Sequence, residues 1–132
     1  MTIILLIAAM QAGAAVPDRA AVQQAVEQLD MTSFNNSLNN AGGPGRRRLR
    51  EFGAQRFAWS DGSLQVTEAD GSWFRSFRPL RGPRGRIRLC FTDQAQNGGT
   101  YLAFSAIELR RGRDGLYRAS EIRHADCAGY AR

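Results

Sequence analysis

The sequence contains no lysine: all eighteen basic residues are arginine, set against twelve acids, for a formal net charge of +6. It also has only one histidine, two cysteines and four prolines in 132 residues. Each scarcity excludes something. One histidine, His124, without a placed serine or cysteine nucleophile makes no catalytic triad. His124 and Asp126 fall short of the three ligands a metal centre wants, so neither a metal nor a cofactor is expected. Gly42-Gly43-Pro44-Gly45 lacks the spacing of a phosphate-binding loop. Most acids fall in turns (Asp61, Asp70, Asp114) or on a helix (Glu27, Asp30), where capping and solvation account for them without paired-carboxylate catalysis. No apolar run reaches the roughly 20 residues that span a bilayer.

What is present begins with an address. An uncharged run from Ile3 to Met10 leads into small residues, and Ala12-Gly13-Ala14 or Gly13-Ala14-Ala15 fits a leader-peptidase site. No arginine precedes the run, so the positive n-region of a typical leader is missing. Residues 1–15 are therefore expected to be a signal peptide, and residues 16–132 one α+β domain, periplasmic or extracellular. The hydrophobic fraction of 43% and charged fraction of 23% are those of an ordinary globular chain. In an exported chain one cysteine pair reads as one structural disulfide, Cys90–Cys127. Closing that loop is worth about 4 kcal/mol in the chain-entropy model, a large part of a typical net stability of about 5–15 kcal/mol.

Pro17-Asp18 signals a helix start with Asp18 as N-cap, and Val22, Val26 and Leu29 form a narrow apolar stripe. Phe34 and Leu38 suggest a further short turn before Asn39–Gly45 ends helical structure. From Phe52 onward the period becomes two. Strands are expected at 55–60, 64–68, 72–79, 86–92, 100–110 and 116–123. They are joined by Asp61-Gly62, Asp70-Gly71 and Asp114-Gly115 hairpins and by longer turns at 81–85 and 97–99. The expected fold is α+β: an N-terminal amphipathic helix packed on a curved antiparallel meander sheet of five or six strands. A small closed β-barrel capped by the helix is the alternative. Ile87, Leu89 and Phe91 share one sheet face and Cys90 the other. Leu102, Phe104 and Ala106 change parity to Ile107 and Leu109, which a β-bulge near Ser105 would reconcile. The expected core comprises Val22, Val26, Leu29, Phe34 and Leu38 ahead of the sheet. Phe57, Leu64, Val66, Trp73 and Phe77 follow, then Ile87, Leu89, Phe91, Leu102, Phe104, Ile107, Leu109 and Ile122.

Two basic clusters stand out. Arg46, Arg47, Arg48 and Arg50 follow the glycine-rich break. Arg75, Arg78, Arg81, Arg84, Arg86 and Arg88 run on from Trp73, Phe74 and Phe77. A coding bias toward arginine explains the composition; the clusters are read either as a solvated face or as an anion-binding surface. Guanidinium groups bind phosphate and carboxylate in planar forks. With an exported address the expected partners are anionic envelope components, lipid head groups or acidic glycans, rather than nucleic acid. The sequence thus reads as a non-enzymatic binding or structural domain of the cell envelope, with an arginine-rich, anion-attracting surface. The second reading is a small-ligand carrier or enzyme with a pocket between helix and concave sheet, using Tyr101, Tyr117, Glu108 and His124. Asn35-Asn36-Ser37 matches a glycosylation acceptor.

Overall fold

The computed structural model describes residues 14–41, 43 and 45–130. Of the expected leader, only Ala14 and Ala15 fall within it, and Gly42 and Pro44 also lie outside. One helix, α1 (Arg19–Glu27), precedes six strands: β1 (Gln55–Ser60), β2 (Ser63–Glu68), β3 (Trp73–Pro79), β4 (Ile87–Ala95), β5 (Leu102–Arg111) and β6 (Tyr117–Ile122). Short 3-10 helices at Leu49–Phe52 and Ala125–Tyr130 flank the sheet in sequence.

Helix α1 starts where the sequence places its cap. The Asp18 carboxylate accepts a hydrogen bond from the Ala21 backbone N–H at 2.8 Å, satisfying one of the donors a helix start leaves open. The sheet is a meander in the order β1-β2-β3-β4-β5-β6, every pair antiparallel. Its two edges, β1 and β6, do not pair with each other, so the sheet is open and the closed barrel is excluded. Asp61 and Gly62 both take positive φ, 50° and 76°, between the paired residues Ser60 and Ser63. That conformation matches the right-handed twist of the strands it joins and suits Asp-Gly.

Each strand shows one face to the main core. Leu64 and Val66 of β2, Phe77 of β3, Leu89 and Phe91 of β4, and Ile107 and Leu109 of β5 are buried in one cluster. Val22, Ala25, Val26 and Leu29 belong to that same cluster. The segment after α1 completes it: Met31, Phe34, Leu38 and Leu49 are buried there, and Phe34 meets Phe91 edge-on at 5.2 Å. Phe34 and Leu38 lie in turns, not a helix, and Asn36 explains how. Its side-chain amide donates to the Met31 and Phe34 carbonyls while its oxygen accepts from the Leu38 N–H, so the side chain does the work of a backbone ladder. Asn36 is buried, whereas Asn35, the acceptor position of the glycosylation pattern, is exposed.

The opposite face carries the disulfide. Cys90 bonds Cys127 and forms a second small cluster with Leu80, Ala106 and Ile122. Covering of both faces explains the parity change in β5 without a bulge. The β4–β5 register runs unbroken from Gln94↔Leu102 to Ile87↔Leu109, so the expected bulge near Ser105 is absent. Ala106 serves the disulfide face and Ile107 the main core. Leu102 is a second correction: it is 49% exposed. It pairs with Gln94, four positions along β4 from Cys90, beyond the patch that the C-terminal segment covers. Phe57, Trp73, Ile87, Phe104 and Ile122 are only half-buried.

Candidate functional site

In this meander the β3–β4 and β5–β6 connections emerge at the same end of the sheet. Arg81, Arg84, Arg86 and Arg88 come from the first connection and the start of β4, and Arg110, Arg111, Arg113 and Arg118 from the second and its flanking strands. The register sets Arg88 beside Glu108 and Arg110 beside Arg118. Residues 80–88 and 108–118 thus bring eight guanidinium groups and two carboxylates, Glu108 and Asp114, to this end; Asp18 lines the cleft beside them and Asp30 acts on Arg118. Arg110, Arg111, Arg113 and Arg118 were not among the expected site residues. They are far from the 78–88 cluster in sequence, and only strand pairing joins the two groups.

Glu108 organises part of this end. Its carboxylate is buried and receives Arg88 Nε at 2.8 Å and Arg110 Nη2 at 3.1 Å, with Arg86 Nη1 at 3.8 Å. Burial pushes its pKa up, but the hydrogen bonds from Arg88 and Arg110 and the charge of Arg86 outweigh that and hold it below the ordinary glutamate value. Three cations thus share one anion. Asp114 is fully taken by Arg118, in a pair at 2.8 Å that holds the Asp114 pKa at about 2. Arg84, Arg111 and Arg113 are exposed, and among the described residues they have no carboxylate partner. An anion approaching this end finds unneutralised guanidinium groups.

Beside them lies a cleft of about 380 Å³. Ile87, Leu109 and Tyr117 from the sheet and Ala21 from α1 give it an apolar lining. Arg84, Arg86 and Arg111 also line it, with Asp18 as the one acid. Ala15 contributes too, held by two backbone hydrogen bonds with Gly82 at 3.0 and 3.2 Å. A cavity of this size is within the range of small-ligand sites.

The other expected residues go elsewhere. Arg48 pairs with Glu51, Arg50 with Glu27 and Arg47 with Asp30, so most of the first cluster is spent on local carboxylates, and only Arg46 lacks such a partner among the described residues. Leu49, in the middle of that run, is fully buried and turns the segment inward. Arg78 donates to the Asp126 carbonyl at 2.9 Å and approaches Cys90 Sγ, bracing the C-terminal segment. Arg81 reaches the Ala14 carbonyl at 3.5 Å. Of the four polar groups proposed for a pocket, Tyr117 lines the cleft, while Tyr101, Glu108 and His124 do not. Tyr101 packs edge-on against Trp73, and its pKa is raised by burial and by the Asp93 charge. His124 Nδ1 accepts the Asp126 N–H at 3.2 Å. No cluster of three or more potential metal ligands occurs among the described residues.

Arg75 departs most from the sequence pattern. It is fully buried on the main-core face of β3, with Nε 3.1 Å from Asp93 Oδ1, itself fully buried, as a charge contact out of hydrogen-bond alignment. Its Nη1 donates to Glu68 at 3.2 Å and its Nη2 to the Ser37 hydroxyl at 3.0 Å. The other Asp93 oxygen accepts the Ser37 backbone N–H at 2.7 Å. These bonds fasten the 31–41 segment over the sheet. The alternation of Arg75 with Phe77 was the available signal for its burial. Comparison with known families, curated proteins and solved structures finds no match to this chain.

Proposed function

We propose that this chain is an exported, non-enzymatic binding domain that captures an anionic component of the cell envelope, lipid phosphate or acidic glycan, at the arginine-rich end of its sheet. The observation that carries the reading is the excess of guanidinium groups over carboxylates around two adjacent connections, with Arg84, Arg111 and Arg113 exposed and without a carboxylate partner among the described residues. In this picture α1 lies across the main-core face as a cover, and the cationic end stays open to partners. Support for the cover comes from Gln23, which accepts the Trp59 indole N–H at 3.1 Å at one edge strand, and from Gln28 and Asp30, which exchange backbone hydrogen bonds with Tyr117 at the other. The Cys90–Cys127 disulfide supports an oxidising compartment, and with it export of the chain.

The test compares retention on anionic vesicles, neutral vesicles and an immobilised acidic glycan at low and high salt. Retention on the anionic supports should fall steeply as the screening length shrinks from about 10 Å at 0.1 M to about 3 Å at 1 M. Replacing Arg84, Arg111 and Arg113 by Gln should weaken it by about tenfold or more, equivalent to about 1.4 kcal/mol. Replacing Arg46 and Arg47 should leave it nearly unchanged. Equal retention on neutral and anionic supports, indifferent to salt, refutes the proposal. A small-ligand carrier is the second reading, and the cleft beside Tyr117 is what favours it.

A further inference from the structure

We infer that the cleft between the start of α1 and the sheet is a binding site for a single-tailed amphiphile with a phosphate or carboxylate head. This deepens the proposed anion-binding role of the sheet end and rests on it. The lining divides into two chemistries. Ile87, Leu109, Ala21 and Tyr117 offer apolar surface, and such surface gains from taking an alkyl or aryl body out of water. Arg84 and Arg111 stand at the same cleft with no carboxylate of their own among the described residues. Two such guanidinium groups suit a multi-oxygen head, because charge-assisted, forked hydrogen bonds are about twice as strong as neutral ones. Arg86 adds charge although it leans on Glu108 at 3.8 Å. A cation would meet the same guanidinium groups as repulsion, with only Asp18 to offset them, and Asp18 is already hydrogen-bonded to the Ala21 N–H. A neutral glycan would leave the charges unanswered and the apolar wall unfilled. The volume of about 380 Å³ suits a short chain and its head, not a two-tailed lipid.

Calorimetric titration of the folded protein with octyl phosphate, below its micellar concentration, tests this. Inorganic phosphate supplies the head alone, octyl glucoside the tail alone, and octyltrimethylammonium the wrong charge. Saturable one-to-one binding of octyl phosphate is expected, at least about tenfold tighter than any of the three controls, or about 1.4 kcal/mol. The exposed pair Arg84→Gln with Arg111→Gln should weaken octyl phosphate by about tenfold or more. Ala21→Phe, which fills the cleft without touching a charge, should also abolish octyl phosphate binding while leaving retention on immobilised polyphosphate intact. Absence of saturable binding, equal binding of octyl glucoside, or indifference to both variants overturns the assignment. If polyphosphate is still retained in a salt-sensitive way, the cleft inference alone has failed. If polyphosphate is not retained either, the anion-binding role of the sheet end has failed with it.

Discussion

Arg75 and Arg111 project from the same face of one sheet, at opposite ends and in opposite circumstances. Arg75 is sealed from solvent between Asp93, Glu68 and Ser37. Arg111 is exposed beside Arg84 and Arg113, with no carboxylate among the described residues to answer it. A guanidinium surrounded by acids holds a fold together; guanidinium groups in excess over acids hold a field open toward something else. The number of arginines distinguishes nothing here, and the strand register distinguishes everything. Glu108 stands between the extremes, one buried carboxylate shared by three cations.

The sharpest way to break the comparison is at the sealed end. Arg75→Met should destabilise the fold by about 3–5 kcal/mol, because Asp93 would remain buried without its counter-charge. Urea denaturation measures this, and a loss under 1 kcal/mol would mean that Arg75 is as dispensable as a surface arginine. On the disulfide face, replacing Cys90 and Cys127 together by Ala should cost about 4 kcal/mol through the freed loop entropy. The urea midpoint should fall accordingly, while retention of the still-folded protein on anionic supports stays unchanged.

Glu108→Gln divides the two roles within one residue. It should lower stability by about 1–3 kcal/mol as the hydrogen-bonded carboxylate is lost, yet tighten retention on polyanions because three guanidinium groups lose their partner. The pH dependence has a definite sign. The folded pKa of Glu108 lies below its ordinary value of 4.5, so its contribution is complete above about pH 4.5 and is lost as pH falls through the folded value. The Glu108→Gln protein should show a shallower loss of stability on acidification, measured by thermal melts between pH 6 and pH 3. The smallest effect is expected from Asp18→Ala, about 1 kcal/mol from the lost helix cap, accompanied by tighter octyl phosphate binding because the cleft loses its acid.

Much of the fold was legible because its signals are local. The Asp-Gly pairs marked hairpins, the period of two marked strands to within a few residues, and Asp18 marked the helix cap. The disulfide followed from the cysteine count and the expectation of export. What escaped depends on contacts between distant segments. Leu49 is hidden in an arginine run, and its burial needs the 31–52 segment folded over the sheet. Arg75 looks like part of a basic surface until Asp93 is brought opposite it by the β3–β4 register. The candidate site was half visible: Arg84 and Arg86 were singled out, but Arg111 and Arg113 joined them only through pairing of β5 with β4 and β6. The ion pairs of the first cluster were not legible either, because its acids, Glu27, Asp30 and Glu51, are dispersed along the chain yet reach Arg50, Arg47 and Arg48 in space.

The division between structural and available arginines is tested most directly by following arginine Nε–H resonances while the protein is titrated with inorganic polyphosphate. Shifts concentrated at Arg84, Arg111 and Arg113, with Arg75, Arg48 and Arg50 unmoved, are the expected result. Shifts spread evenly over all guanidinium groups, or centred on Arg46 to Arg50, would contradict it.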